Sequence, residues 1–227
     1  MKKITTLLLL TIPSISFADN VDDIRWIAQD YPPFSYVDSQ GNNAGTAISQ
    51  AGEIMKKISS SKSTKDIEVH GFSRFFVGMN NDKNTVFFPL ADLPERESNF
   101  TFVGPLFMDK AVVIGKVNIT INDPKELKSY KIIGRDGYPG VKQLSDLDIN
   151  RAKSSDSDKE SMMNLMNNNV DLVVCNEDSG FYWMNELGMN QQEYKVVYRL
   201  KETKMSFAFN KDTDPALLDK VTAALKK

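Results

Sequence analysis

The sequence contains very little of the two residue types on which most metal sites and many catalytic sites depend. Among its 227 residues there is one cysteine, Cys175, and one histidine, His70. A single cysteine cannot form an internal disulfide, and no Cys/His cluster has the spacing of a zinc site. A lone histidine also disfavours a Ser-His-Asp hydrolase. We therefore expect no metal and no cofactor.

Both of these residues lie in strand-like segments. Cys175 ends the apolar run VDLVVC, where a buried thiol that behaves as a small hydrophobic side chain is expected rather than a nucleophile. His70 ends the segment IEVH, and we expect a structural role for it rather than a ligand role.

Long hydrophobic runs are also scarce, and the clearest one lies at the amino terminus. Residues 1–18, MKKITTLLLLTIPSISFA, combine Lys2 and Lys3, an apolar centre at LLLL, and small residues at Ser16 and Ala18. This is the pattern of a cleaved signal peptide. The run is too short for a transmembrane anchor, and no cysteine follows it to accept a lipid. The pattern predicts a soluble protein exported to the periplasm.

A strong excess of positive charge is absent. The chain has 28 basic and 30 acidic residues, and without Lys2 and Lys3 the balance is 26 against 30, a net charge of −4. Nucleic acid and anionic membrane surfaces are therefore poor candidate partners.

After the signal peptide, short apolar strands alternate with segments of helical spacing. IRWIA, TVFFPL and VDLVVC are typical of strands, whereas apolar residues recur every three or four positions from Thr46 to Ile58. Such alternation predicts an α/β architecture with mostly parallel sheets in two lobes.

Aromatic, charged and polar residues follow five of the predicted strands. In such sheets, ligands bind beyond the carboxyl ends of the strands. The sequence therefore predicts a shared cleft at these ends. The residues at these positions are Tyr31, Phe72, Arg96, Gly137, Tyr138, Asn176, Glu177 and Asp178.

Four segments in this order resemble the periplasmic solute-binding proteins of the amino-acid-binding type, the bacterial extracellular solute-binding protein family 3. They are DYPPFSYVDSQGNNAG, NDKNTVFFPLADLPERESNFTFVGP, DPKELKSYKIIGRDGYPG and MMNLMNNNVDLVV. The resemblance implies a type II periplasmic binding fold with two lobes that close on a ligand. The first lobe would comprise residues 19–107 plus 201–227 and the second residues 112–198, with hinge segments near 108–111 and 199–200.

The same resemblance implies a carboxylate clamp and an aromatic pocket. Arg96 follows the proline-acid pair, where the family places the arginine that binds the carboxylate of the ligand, and a guanidinium suits this role because it donates two parallel hydrogen bonds. Tyr31 and Phe72 would form aromatic walls. Gly137 and Tyr138 lie at a helix entrance, where free N–H groups favour an anion.

In other places the sequence departs from the family pattern. Pro89 and Ala91 stand where hydroxyl residues usually precede the PER motif, and Pro139 stands where another is expected. Asn176 replaces the aspartate that pairs with the ammonium of an amino acid, and Glu177 is its charged neighbour. GTAISQ lacks the acidic residues usual in the first helix, and relatives often continue beyond the helix near Asp214. A standard zwitterion site is therefore not expected.

Three functions remain open from the sequence. The first is capture of a small carboxylate-bearing solute, an amino acid or related compound, by a monomer that serves an ABC-type transporter. The second is a sensor partner of a membrane receptor. The third is an enzyme similar to periplasmic cyclohexadienyl dehydratases, in which Glu177 or Asp178 would act as the proton donor.

Overall fold

The computed structural model describes residues 20–72, 74 and 83–226. A short helix predicted at SRFFVGMNN and the predicted signal peptide lie largely outside these residues. Within the described part, no helix is both long and apolar enough to cross a membrane.

Two five-stranded sheets and one two-stranded hairpin contain the twelve described strands. Their bounds are β1 Arg25–Gln29, β2 Tyr36–Val37, β3 Asn43–Ala44, β4 Glu68–His70, β5 Thr85–Ala91, β6 Phe100–Asp109, β7 Ala111–Lys116, β8 Ile132–Arg135, β9 Lys153–Ser155, β10 Leu172–Asn176, β11 Tyr194–Arg199 and β12 Thr203–Asn210. The first sheet has the spatial order β4-β1-β5-β12-β6, the second has the order β11-β7-β10-β8-β9, and β2 pairs with β3.

Among the described strands, each large sheet contains two parallel and two antiparallel pairs. The sheets are thus more mixed than the predicted mostly parallel arrangement. The reason is that the strands beside the two crossings between the sheets, β6, β7, β11 and β12, run antiparallel to their neighbours.

Five α-helices flank the sheets in the described part of the chain. They are α1 Thr46–Lys57, α2 Pro139–Asp146, α3 Asp158–Met166, α4 Glu177–Glu186 and α5 Pro215–Leu225. Short 3-10 helices span Val21–Asp23, Thr64–Asp66, Pro94–Arg96, Pro124–Ser129 and Gln191–Glu193.

Several helices begin at capping residues that are visible in the sequence. The Ser157 hydroxyl accepts a hydrogen bond from the Glu160 backbone at 3.1 Å and begins α3. Asp123 accepts from the Lys125 backbone at 2.8 Å, and Pro124 follows it, so the predicted segment starts where expected but winds as a 3-10 helix.

Each sheet has its own apolar core. In the first, Trp26 packs edge-on against Phe88 and Phe207. In the second, the wholly buried strand β10 is covered by α3 and α4, with Met162 and Met184 packed against it. The chain crosses between the sheets at Lys110 and returns through residues 200–202. The result is a two-lobed α/β fold with a cleft between the lobes.

Candidate functional site

A small cavity lies where strands of the two sheets end. Its volume is about 60 Å³, and its lining includes Tyr31 and Phe72 from the first lobe and Arg135, Asp158 and Trp183 from the second. A larger surface groove of about 370 Å³ is lined by α2 and residues 198–201 and contains none of the predicted site residues. The cavity between the lobes is therefore the candidate site.

The centre of this site is Arg135, the last residue of β8. Its side chain is buried, and its guanidinium carbon lies 4.5 Å from the ring centroid of Phe72 and 4.9 Å from that of Tyr31. The ring of Tyr138 is 5.8 Å away. Cations this close to aromatic faces are attracted by the ring quadrupole, and more strongly when desolvated.

Polar partners complete the surroundings of Arg135. Its Nε lies 3.6 Å from Oδ1 of the buried Asp158. The amide of Gln29 is best assigned with its oxygen toward Arg135, where it accepts from Nη1 at 2.5 Å and Nη2 at 3.3 Å. The other oxygen of Asp158 accepts from the Ser179 hydroxyl at 2.8 Å. The buried cation thus has a carboxylate, an amide oxygen and three rings around it.

A second buried charge, Asp109, lies at the end of β6, where the chain leaves the first sheet. Its carboxylate accepts hydrogen bonds from the Tyr31 hydroxyl at 2.8 Å and the Tyr138 hydroxyl at 2.7 Å. Burial raises the pKa of Asp109, while the hydrogen bonds from Tyr138 and Tyr31 lower it. Burial, followed by the charge of Asp109, raises the pKa of the Tyr31 hydroxyl well above its ordinary value. Asp109 therefore joins a tyrosine of each lobe.

Arg96 lies in the 3-10 helix that follows β5 and is half-buried. Its Nη1 donates to the Ala91 carbonyl at 3.0 Å. Burial lowers the pKa of Arg96, the charge of Glu95 raises it, and the charge of Arg135 lowers it. Arg96 is not among the residues that line the cavity between the lobes, and its link to that cavity is the charge of Arg135.

Gly137 and Tyr138 lie at the entrance of α2, as the sequence predicted. Gly137 has a φ of +69°, and a side chain there would place its Cβ 2.5 Å from the Phe72 ring. Tyr138 is the capping position of α2, and its ring is buried. Gly137 lies against Phe72, and the Tyr138 hydroxyl donates to Asp109. Both residues therefore make direct contacts between the lobes.

Asn176 and Glu177 take positions different from a simple ligand contact. The Asn176 side chain is buried and caps α4 by accepting from the Ser179 backbone at 3.0 Å. Both oxygens of Glu177 accept from Arg199 at 2.7 Å. That hydrogen bonding lowers the pKa of Glu177, whereas a proton donor needs a raised pKa. The structure therefore gives no support to Glu177 as an acid, and Asp178 is exposed.

The structure also shows where the three residues that replace the family's hydroxyl residues lie. Pro89 lies buried inside β5, and Ala91 ends that strand with its carbonyl bonded to Arg96. Pro139 is the first residue of α2. None of the three offers a hydroxyl to the cleft.

The remaining predicted side chains behave as structural groups. Cys175 is a buried free thiol whose pKa is raised by burial, which confirms the prediction. His70 Nε2 lies 3.2 Å from Glu68. Within the described residues there is no group of three or more His, Cys, Asp and Glu side chains that could hold a metal.

Arg135, Asp109, Gln29 and Asp158 were not predicted as site residues. One signal pointed to Arg135, since it is the charged residue that ends the otherwise apolar strand IIGR. Nothing local marks the other three, because their importance arises only from neighbours that are distant in the sequence.

Comparisons with known proteins identify the family and the fold. The family described as bacterial extracellular solute-binding proteins, family 3, matches residues 25–227. In sequence, no curated protein matches the chain.

Solved structures of similar fold include arginine-binding proteins. An ancestral arginine-binding protein bound to arginine has 21% identity and a TM-score of 0.75, covering 91% of this chain and 92% of its own. The arginine-bound, truncated ArgBP of T. maritima has 18% identity and a TM-score of 0.75, covering 90% and 95%. A histidine kinase sensor domain with similarity to periplasmic binding proteins has 15% identity and a TM-score of 0.76, covering 89% of each chain. At these low identities, the TM-scores show a shared fold and nothing more.

Proposed function

Because the chain belongs to the bacterial extracellular solute-binding proteins, family 3, we propose that it captures a small carboxylate-bearing solute, an amino acid or related compound, between its two lobes. The observation that carries this proposal is the half-buried Arg96 in the 3-10 helix after β5, whose pKa is lowered by burial and by the charge of Arg135, a lining residue of the cavity between the lobes.

Arg96 suits a carboxylate because of its surroundings. A partly desolvated guanidinium forms stronger and more selective hydrogen bonds with a carboxylate than an exposed one does. Burial already lowers the pKa of Arg96, which means that its charge lacks full hydration. An anionic solute would compensate that loss.

The rest of the cleft favours a compact solute. A cavity of about 60 Å³ is small compared with the several hundred cubic ångströms of typical ligand sites. Asn176 serves as a helix cap and Glu177 is paired with Arg199, so neither is available to an ammonium group, and the carboxylates that line the cavity are those of Asp30, Asp156 and Asp158. A short organic acid or small amino acid is the best match.

Delivery to an ABC-type transporter in the inner membrane is the output that we propose, with the protein acting as a periplasmic monomer. In this proposal, residues 19–107 plus 201–227 form the first lobe and residues 112–198 form the second. Segments 108–111 and 199–200 would act as hinges, and the ligand would favour the closed state.

A sensor function is the second candidate. A histidine kinase sensor domain has a similar fold, with a TM-score of 0.76. If a deletion strain lost a transcriptional response to the solute but kept its uptake, the sensor function would replace transport.

The first test is thermal unfolding of the protein with a panel of amino acids and small organic acids. A solute at about a hundred times its Kd should stabilise the protein by about 2.7 kcal/mol, a midpoint rise of roughly 5 to 10 °C. Arg96→Ala should abolish the rise. Arg25→Ala is the matched control. Arg25 is the first residue of β1, at the end of that strand away from the cavity, so this variant should retain the rise.

Two results would refute the proposal. One is a panel in which no carboxylate-bearing compound shifts the wild type. The other is a shift of equal size in Arg96→Ala, which would place the carboxylate elsewhere.

A further inference from the structure

The surroundings of Arg135 have the chemistry of a binding site for a guanidinium ion. Its guanidinium carbon lies within 6 Å of the ring centroids of Phe72, Tyr31 and Tyr138. Flat aromatic faces attract a cation of this shape, and Asp158 and Gln29 supply the oxygen acceptors that its N–H groups need. The guanidinium that fills this site belongs to the chain itself.

These partners come from both lobes. Gln29, Tyr31 and Phe72 follow or end strands of the first sheet, whereas Arg135 and Asp158 belong to the second lobe. The Arg135 side chain therefore reaches across the cleft and joins the lobes. The Gly137 backbone lies against the same Phe72 ring. The ring centroids of Tyr36, in the first lobe, and Tyr182, in the second, are 5.8 Å apart. The cleft is closed by groups of the protein.

A solute could enter this part of the cleft only by displacing Arg135 from its partners. Moving Arg135 out would leave Asp158 buried without its cation, which is strongly unfavourable. A second cation placed beside Arg135 would meet the charge of Arg135, while Asp30 and Asp156 also line the cavity, so it is the occupancy of the site by Arg135 that excludes a second guanidinium. The remaining cavity of about 60 Å³ has little room for a long side chain.

We propose that Arg135 is a built-in guanidinium that occupies the aromatic part of the cleft, holds the lobes together, and so excludes guanidinium-bearing solutes. This specificity role rests on the proposed solute-binding function, and it limits the free volume of the cavity to about 60 Å³, which suits a small solute. Structural neighbours solved with bound arginine share the fold, but here an arginine of the chain fills the cleft.

The test is whether an added guanidinium binds when Arg135 is removed. Methylguanidine is the probe, because it has the guanidinium but no carboxylate. In Arg135→Ala we expect methylguanidine at about a hundred times its Kd to raise the unfolding midpoint by roughly 5 to 10 °C. The wild type should show no rise at the same concentration.

Two matched variants separate this effect from the loss of an arginine in general. Arg151→Ala removes an arginine of the same lobe that pairs with Asp136 and should not respond to methylguanidine. Arg135→Met fills the volume with an apolar chain and should not respond either. Methylammonium chloride at equal concentration controls for ionic strength.

Folding of the variant does not limit the test. If Arg135→Ala fails to fold because Asp158 is left unpaired, Arg135→Ala/Asp158→Asn keeps the aromatic site without the buried charge, and methylguanidine should still stabilise it. In the wild type, the NMR resonance of Arg135 Hε should be displaced by the ring currents and should disappear in Arg135→Lys.

Either of two outcomes would overturn the proposal: methylguanidine that stabilises the wild type as much as the variant, or a folded Arg135→Ala that does not respond. An Arg135 Hε resonance without displacement would do the same. Failure of the proposed function is distinguishable, because it is measured on the wild type with carboxylate solutes and Arg96→Ala, and methylguanidine does not require Arg96.

Discussion

Asp109 is a buried residue on which side chains of both lobes converge. It accepts hydrogen bonds from Tyr31 and Tyr138, which approach from different lobes. Burial raises its pKa above the ordinary value, so the folded state favours its protonated form relative to the unfolded chain. The stability contribution of such a carboxyl is fully present below its unfolded pKa and is lost as the pH rises through its folded pKa. The two tyrosines reduce this loss.

Tyr138→Phe should therefore destabilise the protein in a pH-dependent manner. Without one donor, the pKa of Asp109 rises further, and we expect a loss of about 1 to 3 kcal/mol at about pH 7.5. The loss should shrink as the pH falls and Asp109 becomes protonated. Urea unfolding at several pH values measures this, with Tyr130→Phe, at a half-buried tyrosine outside the cleft, as the control. A loss that is the same at every pH would show that Asp109 is not its cause.

Position 137 requires glycine for two reasons, its positive φ and the close approach of the Phe72 ring. At a φ of +69°, an alanine costs about 1 kcal/mol, and its Cβ would lie 2.5 Å from the Phe72 ring. Gly41 has a similar φ of +82°, and a Cβ added there would meet no atom within 4 Å, so Gly41→Ala measures the backbone cost alone. We expect Gly137→Ala to cost about 1 to 2 kcal/mol more than Gly41→Ala in urea unfolding. Equal costs would mean that Phe72 moves away freely.

Helix α5 shows how the carboxyl-terminal segment completes the first lobe. Asp214 caps it by accepting from the Ala216 backbone at 2.8 Å, and Pro215 is its first residue. Leu217 and Val221 are fully buried in the core of the first lobe, with Ala224 beside them. The helix thus covers that core.

Two adjacent leucines of α5 test this packing. Leu217 is fully buried and Leu218 is half-buried, so the same substitution samples two degrees of burial. Leu217→Ala should lower the free energy of unfolding by about 2 to 5 kcal/mol, and Leu218→Ala by clearly less. Chemical denaturation followed by circular dichroism measures both. A larger effect at Leu218 would mean that the other face of α5 is packed inward.

The two lobes are linked by two chain crossings and by side chains that span the cleft. In the cleft, Arg135 and Asp109 contact residues of the other lobe. These contacts hold the lobes against each other, so under the proposed function solute entry requires an opening step that reduces the apparent affinity.

Small-angle scattering tests this closed state. The wild type without solute should have a radius of gyration near the roughly 17 Å expected for a compact chain of this length. Arg135→Ala should be more expanded, and methylguanidine should return it toward the wild-type value. Arg151→Ala should match the wild type. Identical scattering of Arg135→Ala and the wild type would show that Arg135 does not hold the lobes together.

Some strands were not predictable from local pattern. β6 contains Gly104 and Pro105, which usually argue against a strand, yet it runs for ten residues because β12 pairs along it. β9, with the sequence KSS, has no apolar alternation and is a strand only because it pairs with β8 at the edge of the sheet. Both depend on partners elsewhere in the chain.

The sequence by itself determined the family, the α/β class and the positions of most helices and apolar strands, because spacing, caps and motif order are local properties. It also brought Tyr31, Phe72 and Tyr138 to strand ends. Only the tertiary structure decided that these rings surround Arg135, a guanidinium of the same chain, and that Asp109 joins two of them. The reason is that Asp109 is separated from Tyr138 by 29 positions and from Tyr31 by 78 positions in the sequence. Contact between residues so far apart depends on how the two sheets face each other.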